Sequence, residues 1–263
     1  MVLERLVTVR SAIKRPFWVF IIGGLISTIS LSLSFLLFPD SAGFISSFFI
    51  TFGIMPFMLD FIKYEGANVD QKAEELKKMN IFQRHRNVIM VYTAFFTGMV
   101  LTQTILYIMI PESLSQKLFE DQITQINLIR GRVTFSGTFS AILFNNSGVL
   151  LLSFLFSFLF GAGAVFILAW NASVLSVAIG MTAKSLGGLK GIPLAILTFF
   201  PHGSLEILAY FIGGIAGGLA SISFTKRKTE KFSFILRDSF EMILTAFVLL
   251  VIAAAIETTM IVV

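Results

Sequence analysis

Seven long apolar segments follow one another along the chain, separated by short polar or charged stretches. Five of them occupy residues 17–38, 42–62, 87–110, 192–224 and 238–263, and two more fill the uncharged stretch 139–183. About 20 apolar residues are enough for a helix to cross the hydrocarbon core of a bilayer. A helix satisfies all of its backbone hydrogen bonds within the segment, which hydrocarbon requires. The pattern therefore predicts an all-α, polytopic transmembrane helix bundle of about seven spans.

Two of these segments contain residues that normally interrupt a helix. The second contains Gly53 and Pro56, which fit either a kinked span or a re-entrant pair of half-helices. A complete span is favoured, because only that path leaves the six Lys and Arg of 63–86 on the same side as the basic N-terminus. The sixth segment contains Pro201 and Gly203, which predict a broken helix at that point.

The composition agrees with a membrane protein. Of the 263 residues 56% are hydrophobic and only 13% are charged, whereas a soluble domain is about 25% charged. Without cysteine the chain forms no disulfide, Cys-ligated zinc site or iron–sulfur cluster, and we predict no cofactor. The net charge of +5 comes from basic residues in the loops rather than on one face. This argues against nucleic acid and makes the lipid bilayer the expected partner.

The basic residues also predict an orientation. With seven spans, 15 of the 20 Lys and Arg lie on the side of the N-terminus and five on the other. Cytoplasmic loops are enriched in these residues. We therefore expect a multi-pass protein of the cell membrane with a cytoplasmic N-terminus and an outside C-terminus.

The chain divides into an N-terminal region of three spans, 1–138, and a core of four spans, 139–263. The first region has two polar segments. Residues 63–86 carry mixed charges, which fits a solvated helical connector or a cytoplasmic docking surface, and we expect His85 to be an exposed loop histidine. Residues 111–138 place apolar side chains at helical spacing beside charged ones, as in a helix on the outer interface or packed over the bundle. A protein partner is predicted at one of these two segments.

Polar residues inside an apolar segment are costly in hydrocarbon and need a reason. In the sixth segment His202 and Glu206 stand four residues apart, so on a helix they face the same way, within hydrogen-bonding reach. Pro201 frees a backbone carbonyl one turn earlier. The last span adds one buried-looking carboxylate, Glu257. Three asparagines of the preceding spans are candidates to converge on the pair: Asn145, Asn146 and Asn171.

Four interpretations of this intramembrane polar cluster stay open. The four are a buried network that fixes helix register, a proton-coupled transport or permeation site, a metal site, and the centre of an intramembrane hydrolase. His202 and Glu206 supply two ligands where zinc needs three or four, so we assign no metal. The chain has no His-Glu-x-x-His, Gly-x-Ser-x-Gly or glycine-rich nucleotide motif, so we expect no enzyme and assign no catalytic residue.

Small residues recur four apart in the second half of the sixth segment, where Gly213 precedes Gly217 and Gly214 precedes Gly218. This spacing is typical of tight helix crossings in membranes. The crossing lies either within one subunit or between two, which leaves a homo-oligomer open.

The polar positions resemble those of a known family. Asn145-Asn146 opening one span, Asn171 in the next, and Pro201-His202-Gly203-x-x-Glu206 before a glycine-rich helix are similar to the stage II sporulation protein M (SpoIIM) family, over about residues 139–260. Where that family usually has Asn-Gly, this chain has Asn171-Ala172. The resemblance implies a polytopic membrane protein that anchors other proteins without hydrolytic activity of its own. We therefore predict a non-enzymatic scaffold or membrane-complex component; the alternative is a transporter or channel subunit that uses His202 and Glu206.

Overall fold

Seven long helices make up most of the structure. The computed structural model describes residues 8–71, 78–130, 135–225 and 232–262. The long helices are α1 (Phe17–Leu37), α2 (Ala42–Gln71), α3 (Arg86–Met109), α4 (Phe135–Phe160), α5 (Ala164–Ser185), α6 (Ile192–Thr225) and α7 (Phe232–Val262). Over the described ranges, seven helices are long and apolar enough to cross a membrane. The predicted all-α bundle of about seven spans is confirmed.

Successive spans alternate in direction, which gives the bundle two ends. We call the end where α1 begins the N side and the end where α7 finishes the C side. Short helices occupy the connections: Val9–Lys14 and Ile81–Arg84 on the N side, and Glu112–Leu118, Glu120–Arg130 and a 3₁₀ turn at Gly188–Gly191 on the C side. Of the two polar segments, residues 72–77 and 131–134 lie outside the described ranges.

The helix that carries the central polar residues is continuous. α6 runs from Ile192 to Thr225 with Pro201 inside it, and Gly203 has no positive φ angle. The predicted break at Pro201-Gly203 is therefore wrong. A proline removes one backbone donor and leaves the rest of the hydrogen-bond pattern intact, and packing in a helix bundle tolerates that loss. α2 is likewise one helix through Pro56, so the second segment forms a single span and not two half-helices.

Glycines let α6 pack tightly against its neighbours within one subunit. A Cβ atom at Gly217 would lie 2.2 Å from the carbonyl oxygen of Phe154, and one at Gly218 would lie 2.6 Å from the carbonyl oxygen of Gly161. Such distances are too short for a real side chain. The predicted packing face at Gly213, Gly214, Gly217 and Gly218 therefore contacts other helices of the same chain, and the homo-oligomer stays a prediction.

The sharp turn between α4 and α5 depends on glycine and on one serine. Gly161 has a φ angle of 77°, a left-handed conformation that glycine adopts without strain. The buried hydroxyl of Ser157 accepts a 3.0 Å hydrogen bond from the backbone N–H of Ala164, at the start of α5. These contacts hold α4 and α5 side by side, with α6 packed across them.

Candidate functional site

Glu206 is the centre of a polar cluster in the C-side half of the bundle. α4 brings Asn146 to it, and the Asn146 Nδ2 atom donates a 2.6 Å hydrogen bond to Oε1 of Glu206. α7 brings Glu257, whose carboxyl group lies close enough to that of Glu206 to interact electrostatically with it. Three helices thus meet at one carboxyl group. We call Asn146, Glu206 and Glu257 the carboxyl cluster.

The carboxyl cluster is suited to holding a proton. Two neighbouring carboxylates repel each other, and a proton on one of them removes that repulsion. Tyr210, one turn further along α6 and buried, lies close enough to Glu206 and Glu257 to interact electrostatically with both. Ionisable groups inside a membrane are rare, and they often mark proton or ion pathways. The arrangement can hold, and on rearrangement release, a proton.

His202 does not belong to the carboxyl cluster. Its side chain is buried, with its ring edge-on to Phe199 at a centroid distance of 6.2 Å. Its Nδ1 atom has no hydrogen-bond partner among the described residues. The expected hydrogen bond from His202 to Glu206 is thus not formed. Helical spacing places the two residues on one side of α6, but Asn146 and Glu257 on neighbouring helices are the groups that contact the carboxyl.

The other predicted site residues are spread over separate places. Asn145 is exposed and donates a 3.1 Å hydrogen bond to Oδ1 of Asn146, so it touches the cluster only through its neighbour. Asn171 donates a 2.8 Å hydrogen bond to the carbonyl oxygen of Ile167 in its own helix and does not converge on Glu206. Pro201 is exposed, and Gly203 lines an apolar cleft on another face of α6.

A second polar cluster lies at the N side of the bundle. The fully buried His85 places Nδ1 3.1 Å from Oε1 of Glu65 and Nε2 3.0 Å from Oδ2 of Asp238. Arg84 forms an ion pair with the other carboxylate oxygen of Asp238. We call Glu65, Arg84, His85 and Asp238 the ionic cluster. It joins α2, the start of α3 and α7, and the prediction of an exposed loop histidine at 85 is wrong.

Geometry favours a charged His85. A neutral imidazole donates from one nitrogen and accepts at the other, whereas both nitrogens of His85 face carboxylate oxygens. Burial by itself lowers the pKa of His85, but the hydrogen bonds to Asp238 and Glu65 outweigh it and raise the pKa above the ordinary value of 6.5. In the charged state the cluster holds two positive and two negative groups, so it is balanced.

Neither cluster has the arrangement of a metal site. Over the described ranges, no group of three or more His, Asp and Glu side chains could hold a metal ion. In the ionic cluster the two carboxylates contact opposite nitrogens of one ring and therefore do not converge on a common point.

The sequence carries only a weak signal for the contact of Glu65, His85 and Asp238. Glu65 follows its apolar segment by three residues, Asp238 stands at the start of the last segment, and His85 precedes the third segment by two residues. All three are thus at span ends on the same side of a seven-span bundle. That shared depth permits contact, but only the packing of α2, α3 and α7 shows that it occurs.

A protein-family model described as SpoIIM: Stage II sporulation protein M matches residues 17–260 of the chain. The match extends through the first three spans as well as the region around 139–260 on which the resemblance rested. No curated protein and no solved structure matches the chain.

Proposed function

Since the chain belongs to the stage II sporulation protein M family, we propose that it is a non-enzymatic component of a membrane complex and anchors a partner protein at the bilayer. The seven apolar helices would hold such an anchor firmly in the bilayer. The observation that carries the proposal is the family match over nearly the whole chain, because the family resemblance implies a scaffold.

The C-side connection offers a rigid surface for such a partner. Helices Glu112–Leu118 and Glu120–Arg130 bury Leu118 and Phe119 against the bundle, and Phe119 packs edge-on to Tyr107 at a centroid distance of 5.5 Å. Gln122 donates a 2.8 Å hydrogen bond to the hydroxyl of Ser173 in α5. Their opposite face is polar and exposed, with Glu112, Gln116, Lys117, Glu120, Thr124 and Asn127. We call this face the polar ledge.

Site-specific crosslinking in the native membrane tests the scaffold proposal. A photoreactive amino acid at Gln116 or Thr124 of the polar ledge should give one discrete adduct of the same added mass at both positions. The same residue at Leu36, a lipid-facing position that is 77% exposed, should give none. The charge reversal Glu120→Lys should abolish the adduct. Recovery of the uncrosslinked protein alone from both ledge positions would contradict the proposal.

The orientation is part of the same proposal, because a partner outside the cell requires the C side to face outward. Cysteine at Lys117 should react with a membrane-impermeant maleimide on intact cells, and cysteine at Lys78 should react only after permeabilisation. The reverse labelling pattern would place the polar ledge in the cytoplasm, and its partner would then be a cytoplasmic protein.

A transport role is the second candidate, and the carboxyl cluster is the observation that favours it. Under this alternative Glu206 and Glu257 exchange a proton with water on the C side. In proteoliposomes with an imposed pH gradient, Glu206→Gln and Glu257→Gln should each abolish the proton flux. Glu241→Gln, which changes a half-exposed carboxylate elsewhere on α7, serves as the matched control. Equal fluxes in protein-free and protein-containing vesicles would remove this candidate.

A further inference from the structure

An apolar cleft of about 410 Å³ lies between α3, α5 and α6, at the depth of the membrane core. Its lining includes Phe96, Val100, Leu175, Ile196, Ile207 and Phe211. The cleft opens to the outside of the bundle, because Thr93, Thr97 and Phe200 at its edge are exposed. In a seven-span membrane protein that mouth faces bilayer hydrocarbon.

Gly203 lines the cleft, and neither its backbone conformation nor close packing requires a glycine there. Its φ angle is not positive, and an added Cβ atom would meet nothing within 4 Å. Glycine inside a helix costs about 1 kcal/mol relative to alanine. The glycines at 217 and 218 are explained by contacts with backbone atoms that exclude a side chain. What glycine provides at 203 is open volume.

Water is a poor occupant of this volume. An ordered water needs two to four polar partners. The hydroxyls of Thr93 and Thr97 already donate to the carbonyl oxygens of Ile89 and Thr93, at 2.8 and 2.7 Å, so these two groups offer a water little. An empty cleft would forfeit dispersion contacts along its whole lining. A flexible hydrocarbon chain needs no polar partners and makes dispersion contacts with the apolar lining.

The length of the cleft matches one lipid chain. On α3 it extends from Thr93 to Leu101, which at 1.5 Å per residue is about 12 Å. Half of the hydrocarbon core is about 15 Å thick. We propose that the cleft binds one acyl chain of a membrane lipid and that Gly203 keeps it open. The cleft lies on a different face of α6 from Glu206, so the site is separate from the carboxyl cluster.

Photolabelling in vesicles tests the proposal. The full-length protein is reconstituted in phosphatidylcholine vesicles that contain a trace of phosphatidylcholine with a photoactivatable acyl chain, and adducts are mapped by peptide mass spectrometry. In the wild type, adducts should concentrate on 93–101 and 199–211 relative to the lipid-facing surface of α1. Gly203→Leu should lower that cleft labelling roughly threefold or more, because its side chain occupies the volume.

Gly148→Leu is the matched control, since Gly148 also has nothing within 4 Å of an added Cβ but does not line the cleft. It should leave the labelling pattern unchanged. Ser204→Leu fills the cleft from the next residue and should reproduce the loss, which covers the case in which Gly203→Leu does not fold. Labelling of the cleft at the same level as α1 in the wild type, or unchanged cleft labelling in Gly203→Leu and Ser204→Leu, would overturn the proposal.

Discussion

Removing His85 from the ionic cluster should destabilise the protein strongly, and a second substitution should restore much of the loss. In His85→Leu the fully buried Glu65 loses its hydrogen-bond partner; its Oε2 atom already has none among the described residues. Breaking a buried ion pair by removing one partner costs about 3–5 kcal/mol. In Glu65→Leu, by contrast, His85 keeps Asp238, so the cost is about 1–3 kcal/mol.

The double variant His85→Leu/Glu65→Leu replaces the pair with apolar side chains and leaves the pair between Arg84 and Asp238 in place. Such replacement of a buried pair is often close to neutral. We therefore expect the double variant to be more stable than His85→Leu alone by at least ~2 kcal/mol. The measurement is the free energy of unfolding by denaturant titration in mixed micelles.

Glu241→Leu provides the control for this cycle, because it removes an exposed pair with Arg237 on the same helix as Asp238. An exposed pair contributes only about 0–1 kcal/mol. If the free energy losses of His85→Leu and Glu65→Leu simply add in the double variant, Glu65 and His85 are not coupled and the reasoning is refuted.

Three further predictions concern the charge of His85, the hydrogen bond at Glu206 and the packing at Gly218. Because the pKa of His85 is raised above 6.5 in the folded protein, charged His85 contributes its full stabilisation below pH 6.5 and loses it as the pH rises through the folded-state pKa. The free energy of unfolding of the wild type should therefore decline over that pH range. The double variant His85→Leu/Glu65→Leu should show no such decline. Glu206→Gln keeps a hydrogen-bond acceptor for the side-chain N–H of Asn146, whereas Glu206→Leu leaves that N–H unpaired. Glu206→Leu should therefore lower the free energy of unfolding by about 1–3 kcal/mol more than Glu206→Gln in the denaturant titration. Equal losses would contradict the hydrogen bond. Gly218→Leu, whose Cβ would lie 2.6 Å from a backbone carbonyl oxygen, should destabilise by about 1–3 kcal/mol or more, while Gly148→Leu should not, and equal midpoints in thermal denaturation would argue against the tight crossing.

The apolar pattern was sufficient to predict the architecture. Segment length and the absence of charge determine which stretches cross a bilayer, and both are local properties of the sequence. The same holds for the two spans predicted in the uncharged stretch 139–183, which the turn at Gly161 separates. The predicted break at Pro201-Gly203 failed because the effect of a proline depends on whether neighbouring helices support the remaining hydrogen bonds, which a single segment does not reveal.

The polar contacts were only partly predictable, because they depend on which helices are neighbours and how they are rotated. Asn146 and Glu206 were both identified from their cost in hydrocarbon. Glu257 was noticed but not connected to them, since nothing local indicates that α7 passes beside α6 at that depth. The prediction for His85 was wrong for a related reason: the mixed charges of residues 63–86 suggested solvent, whereas one of these charged residues, Arg84, itself enters the cluster with Asp238.

α7 connects the two polar clusters and helps to rank the proposed functions. Asp238 belongs to the ionic cluster and Glu257 to the carboxyl cluster, and their separation of 19 residues along one helix corresponds to about 29 Å, close to the thickness of the hydrocarbon core. Between them, beyond Ser239, the buried side chains of α7 are apolar: Met242, Ala246, Leu250, Ala253 and Ala254. A proton held at Glu257 therefore has no polar path along the described part of α7 to the N side. Proton transport to the N side would therefore have to use polar groups on other helices, such as the buried Ser153 and Ser157 of α4, whereas the family match supports an anchor directly. For this reason the scaffold is the first proposal and transport the second.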